Sequence, residues 1–151
     1  MKIYSRYFVL LACLAGLSPF SVAEQGHQCA PDGLAVGGYD LVSYHQDGGP
    51  LQGSESFEIE LEGLRYRFSS QANLDTFKAT PDKYLPHYRG WCAATLSMGR
   101  LACPDYTNFR IENGDLLLFE LAGFTNGRTL WESDPSGFRQ RADANARELL
   151  Q

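Results

Sequence analysis

Phe57-Glu58-Ile59-Glu60-Leu61-Glu62-Gly63-Leu64-Arg65-Tyr66-Arg67-Phe68 is the stretch that decides the fold class. Phe57, Ile59 and Leu61 alternate with glutamates, the period of a half-buried strand. Glu62-Gly63 suits a two-residue turn, and Leu64, Tyr66 and Phe68 then alternate with Arg65 and Arg67. Folding about that turn sets Glu60 opposite Arg65, Glu58 opposite Arg67, Ile59 opposite Tyr66 and Phe57 opposite Phe68. One face becomes apolar. The other carries opposite charges across the strands, each pair contributing about 0.2–1 kcal/mol. The glutamate run is therefore a solvated, ion-paired sheet face before it is a cation site.

Outward from the hairpin, a short helix is expected to follow Ser69 or Ser70 as cap, with Leu74 and Phe77 turned inward. Thr80-Pro81 reads as a cap with proline at the first helical position, opening a turn through Tyr84. Asn113-Gly114 signals a second hairpin, between Phe109–Glu112 and Asp115–Phe119. Leu116 to Phe119 is apolar on both faces, which predicts a strand inside a sheet. A closing helix opens at Asp134-Pro135, with Phe138, Ala142, Asn145 and Leu149 on one stripe. The fold class is α+β: a small antiparallel sheet built from hairpins, with flanking short helices and a C-terminal helix.

The chain has 151 residues. Residues 1–23 have the order of a signal peptide: Lys2 and Arg6, an apolar run from Tyr7 to Leu17, and Ser21-Val22-Ala23. The run is short of the roughly 20 residues a membrane span needs. Leu10-Leu11-Ala12-Cys13 resembles a lipoprotein cleavage box, but a cut there would divide the apolar run, so cleavage after Ala23 is expected and a lipid anchor on Cys13 is not. Residues 24–36 read as an extended lead-in and 37–151 as one domain. The expected location is periplasmic or secreted.

The first 23 residues hold two of the 13 Lys and Arg and none of the 18 Asp and Glu, so the remainder carries a net charge of −7. That acidity argues against nucleic acid or an anionic lipid surface as partner. No later apolar run is long enough to span a bilayer. Three cysteines remain beyond the signal, Cys29, Cys92 and Cys103. Outside the cytoplasm, an odd count leaves one thiol over once a pair is oxidised.

Two segments are dense in unusual residues: Gly37-Gly38-Tyr39-Asp40-Leu41-Val42-Ser43-Tyr44-His45 and Tyr84-Leu85-Pro86-His87-Tyr88-Arg89-Gly90-Trp91-Cys92-Ala93. Together with Tyr66-Arg67-Phe68-Ser69-Ser70, Phe77, Pro81-Asp82-Lys83-Tyr84, Asn113-Gly114-Asp115-Leu116 and Ala142-Asp143-Ala144-Asn145, they resemble, in this order, the YHS domain family and its small exported members. The resemblance spans roughly residues 37–148. It implies a binding module of the kind attached to metal-handling proteins, whose cysteines near the Tyr-x-Phe-x-Ser segment are thought to bind metal. Here those thiols are absent, and Asn73 occupies the next candidate position.

A metal site would have to be rebuilt from Cys92, His87 and His45, with Met98 as a further soft donor. Thiolate with imidazole suits copper or zinc. No HxxxH or CxxC spacing supports it, and a packed thiol is the plainer reading of Cys92. His27 falls fourth from the expected new amino terminus, one place beyond the position that chelates Cu(II). Cys29 and Cys103 lie where the family pattern requires no cysteine. Their pairing is preferred, leaving Cys92 free, with Cys92–Cys103 as the rival.

A lone cysteine without a histidine-orienting partner, and glycines without GxGxxG or P-loop spacing, give little support to catalysis. The expectation is therefore a binding module for a metal ion or small ligand around Tyr39, Asp40, Tyr44, His87, Tyr88, Trp91 and Cys92. The alternative is an interaction domain whose aromatic groove takes a protein or an apolar small molecule.

Overall fold

A computed structural model describes residues 29–151. The expected signal peptide, 1–23, and the start of the lead-in lie outside the described residues. The elements run β1 (Ser54–Leu61), β2 (Leu64–Phe68), α1 (Gln71–Ala79), α2 (Pro81–Tyr84), α3 (Ala93–Ser97), β3 (Asp105–Glu112), β4 (Asp115–Phe119), β5 (Leu121–Ala122), β6 (Thr125–Asn126), α4 (Gly127–Ser133) and α5 (Pro135–Leu149). The strands form three two-stranded antiparallel sheets, so the fold is α+β with a C-terminal helix.

The first hairpin has the expected register for Glu58↔Arg67, Ile59↔Tyr66 and Glu60↔Arg65. Glu62 and Gly63 both have positive φ (51° and 78°), the signature of a type I′ turn. Beyond Glu58 the register shifts, and Phe68 pairs with Ser54 in place of Phe57. A bulge of this kind inserts residues into one strand and bends it. The ion pairs follow the bend: Arg67 holds Glu58 and Glu55, each at 2.8 Å, and Arg65 reaches diagonally to Glu58 at 3.7 Å.

Ser70 caps α1 by accepting from the Asn73 amide at 3.2 Å. Leu74 and Phe77 face inward as expected. Thr80 precedes Pro81 but makes no side-chain cap; its backbone N–H closes on Phe77 instead. The closing helix begins as read, with Asp134 accepting from Gly137 N–H at 3.0 Å. Its stripe corrects the expectation at the far end: Phe138 and Ala142 are buried, Ala146 and Leu150 pack partly, and Leu149 is exposed. A 3.6-residue period carries the buried face from 142 to 146 and 150, which leaves 149 outside.

Two apolar clusters fill the interior, with β4 as the wall between them. Leu116 and Leu118 face Phe68, Phe77, Tyr66 and Leu41, while Leu117 and Phe119 face Trp131, Phe138 and Leu96. Both faces of β4 are covered, as its unbroken apolar run implies. β3 pairs along one edge of it, and on the other the irregular segment Pro86–Cys92 bridges to Leu116 and Leu118.

Residues 29–36 are not an extended lead-in. They coil into short 3₁₀ turns over Pro31–Gly33 and Ala35–Gly38, and Ala35 and Val36 are buried against the hairpin. Arg65 donates to the Asp32 carbonyl at 2.9 Å, and a disulfide joins Cys29 to Cys103, with Cα atoms 5.2 Å apart. Of the two pairings left open by the sequence, the structure has the one that leaves Cys92 free. Among the described residues no helix is long and apolar enough to cross a membrane.

Candidate ligand-binding site

The lead-in, pinned by its disulfide, becomes one wall of a pocket of about 350 Å³. Cys29, Ala30, Ala35 and Val36 form that wall. The β1–β2 hairpin supplies Leu64 and Tyr66, the segment after α2 supplies Leu85 and Pro86, and β3 supplies Tyr106. Glu62, Arg89 and Gly90 complete the lining, and the two charged residues are exposed. The volume lies at the lower end of the range for small-molecule sites, which are typically apolar with a few placed polar groups.

Tyr106 is held over the turn at Gly37. A Cβ at position 37 would lie 2.6 Å from the Tyr106 ring, so glycine is what admits the ring. The Tyr106 hydroxyl donates to the Cys29 carbonyl. The Tyr66 hydroxyl has no hydrogen-bond partner among the described residues, and its phenol is pushed up to about 12, first by burial and then by the nearby Glu62 carboxylate. Tyr66 is a neutral donor at the pocket wall across the physiological range.

Backbone strain gathers around this pocket. Among the described residues, the non-glycine positions with positive φ are Asp32, Val36, Glu62, Arg89 and Asn113. Asp and Asn tolerate the left-handed region; valine, glutamate and arginine do not. Val36, Glu62 and Arg89 all line the pocket. Such strain persists only where surrounding structure imposes it, and it concentrates at ligand sites.

The residues singled out from the sequence sit elsewhere, most of them in internal roles. Asp40 is fully buried and accepts from Val42 N–H (2.9 Å), Ser43 N–H (3.3 Å), Ser69 N–H (2.8 Å), Ser69 Oγ (2.6 Å) and Asn73 Nδ2 (2.6 Å). A buried carboxylate so surrounded ties residues 40–43 to the β2–α1 junction. Tyr44 donates to the Tyr106 carbonyl at 2.7 Å and stands edge-on to Phe109; burial raises its phenol far above the usual range. Tyr39 is partly buried and bridges Gln52. Trp91 is buried, with its indole N–H unpartnered among the described residues.

The three candidate metal ligands face three different surroundings. Cys92 is 0 % exposed in the second cluster, where its sulfur accepts from Glu120 N–H at 3.2 Å and packs close to Gly127. His87 is on the surface, between Asp115 at 3.5 Å and Asp143 at 3.8 Å. Tyr88 beside it donates to Asp143 at 2.8 Å, and burial first and then that bond raise its phenol. His45 stands edge-on to Tyr84; burial, then Lys83, lower its pKa and favour the neutral ring. Among the described residues no group of three or more His, Cys, Asp or Glu side chains is placed to hold a metal ion.

Of the binding, metal and disulfide residues singled out from the sequence, only Cys29 lines the pocket. Two signals lay in plain view: the unpaired Arg89-Gly90 inside the second unusual segment, and Tyr66 on the apolar face of the hairpin. What the sequence lacked was the fold of the lead-in, which closes the cavity.

A family model described as the YHS domain matches residues 42–88, from a 3₁₀ turn at Ser43–His45 through the hairpin, α1 and α2. No curated protein and no solved structure matches the chain. The matched region supplies Glu62, Leu64, Tyr66, Leu85 and Pro86 to the pocket; Cys29, Ala30, Ala35, Val36, Arg89, Gly90 and Tyr106 flank it.

Proposed function

From a chain that carries a YHS domain over residues 42–88, we propose an exported binding module that takes a small apolar-bodied molecule into the pocket between lead-in and hairpin. The observation that carries this reading is the apolar cavity itself, about 350 Å³, floored by Leu64, Tyr66 and Val36 and edged by two charges. Apolar surface in such a cavity is gained back from water when a ligand fills it, at roughly 25 cal/mol per Å². Export is supported by the signal-like order of residues 1–23 and by a disulfide of the kind that persists in oxidising compartments. A protein partner is the less favoured occupant, since the site is a cavity and not a broad groove.

The test is titration with N-phenyl-1-naphthylamine, a neutral probe that fluoresces in apolar surroundings. Saturable one-to-one binding, lost in Ala30→Trp or Leu85→Trp with the circular dichroism spectrum unchanged, supports the pocket. Failure of the folded protein to bind the probe removes it. Intact mass of the exported protein reads the cleavage point in the same preparation; a mature chain starting anywhere but Glu24 overturns the proposed cut.

The copper or zinc reading rests on Cys92 as a free thiol. It ranks second because Cys92, His87 and His45 do not converge. Native mass spectrometry with Cu(I) and Zn(II) decides it: a bound metal lost on Cys92→Ser would reinstate that site.

A further inference from the structure

On the pocket reading given above, we infer that its occupant is a small zwitterion with an apolar body, such as an apolar α-amino acid, its carboxylate on Arg89 and its ammonium on Glu62. Both residues line the cavity, and among the described residues neither makes an ion pair with the other or with any third group. An unpaired guanidinium offers a carboxylate two parallel N–H donors. An unpaired carboxylate offers an ammonium its acceptors.

The two charges are presented in the same way. Glu62-Gly63 and Arg89-Gly90 each occupy the centre of a tight turn with positive φ at both positions: 51° and 78°, then 53° and 85°. The second turn is closed by Trp91 N–H donating to the Tyr88 carbonyl at 3.0 Å, and it is anchored on both sides by buried aromatics, Tyr88 and Trp91. Type I′ turns favour Asn-Gly. The same chain uses Asn113-Gly114 at the β3–β4 turn, with φ of 56° and 92°, away from the pocket. At this turn, outside the lining of the pocket, the favoured pair is present. At the two turns that edge the cavity, the first position carries a long charged side chain against its conformational preference. Strain retained at a site and relieved elsewhere marks the residues as held for what their side chains do.

Apart from those charges the lining is largely apolar, and the Tyr66 hydroxyl, unpartnered among the described residues, can donate to a ligand oxygen. An apolar anion alone would leave Glu62 repelling it, and an apolar amine alone would leave Arg89 so. A zwitterion satisfies both.

The experiment displaces bound N-phenyl-1-naphthylamine with L-phenylalanine, with hydrocinnamate, which lacks the ammonium, and with phenethylamine, which lacks the carboxylate. L-Phenylalanine is expected to bind at least about tenfold more tightly than either analogue, the scale of one charge-assisted hydrogen-bonded contact. In Arg89→Asn that advantage over phenethylamine disappears, because L-phenylalanine loses its carboxylate partner and phenethylamine loses a repelling guanidinium and tightens; in Glu62→Asn the advantage over hydrocinnamate disappears in the same way. Both variants keep or raise the melting temperature, because asparagine tolerates the turn conformation better. If the probe binds but the three compounds compete equally, or the variants leave the ranking unchanged, the zwitterion is wrong and the pocket stands. If the probe does not bind the wild-type protein, both fall.

Discussion

Asn73 donates its side-chain amide to Asp40 at 2.6 Å, joining the first turn of α1 to a carboxylate with no solvent exposure. Five donors converge on that carboxylate from two stretches of chain, residues 42–43 and 69–73. Replacing it strands buried N–H groups. Asp40→Asn is expected to lower unfolding free energy by about 2–4 kcal/mol, since each unsatisfied buried donor costs about 1–3 kcal/mol. Urea denaturation followed by far-ultraviolet dichroism measures it. A loss below about 1 kcal/mol would remove Asp40 from its structural role.

Gly37→Ala tests the support beneath Tyr106. The new methyl group meets the Tyr106 ring at 2.6 Å and sits at φ +58°, so the ring has to move. The expected loss of stability is about 1–3 kcal/mol. Probe affinity should fall with it, because Tyr106 is a pocket wall; unchanged affinity would show that the ring does not shape the cavity.

Alkaline pH should unfold the protein through its buried phenols. Burial raises Tyr44, Tyr66, Tyr88 and Tyr106, with Tyr66 held at about 12. Unfolded phenols ionise near 10, so the native state keeps protons that the unfolded chain sheds. Stability from this source is complete below pH 10 and is lost as pH rises from about 10 through 12. Phenolate absorbance should therefore rise together with unfolding, and Tyr66→Phe should make the decline in stability less steep. Phenolate formation well ahead of unfolding would contradict the burial.

The disulfide closes a sequence separation of 74 residues. Cys29→Ser/Cys103→Ser is expected to cost about 4 kcal/mol in the chain-entropy account. Probe affinity should weaken by more than stability alone explains, because Cys29 and Ala30 are wall residues. The comparison is made at a temperature where both forms are fully folded; equal affinity there would show that the lead-in holds its place unaided.

Local features were legible because local chemistry determines them. The two hairpin turns, the Ser70 and Asp134 caps and the inward Leu74 and Phe77 follow from period and turn residues alone. The bulge that displaces Phe57 was not legible, since nothing in an alternating pattern marks where a strand slips. At the site the reading found residue types but not their destinations. Asp40, Tyr44 and Cys92 are conspicuous in the sequence for their chemistry, and the fold turns each of them inward to hold other groups. The pocket emerges only when the lead-in folds onto the hairpin, a contact between segments about thirty residues apart that no local window contains.

The covalent tie at Cys29 also gives the cavity a geography. A reducing cytosol does not sustain such a bond, so under the proposed export the wall is fastened only once the chain has left the cytosol. On that reading the cavity is completed where its ligand is met and not where the chain is made.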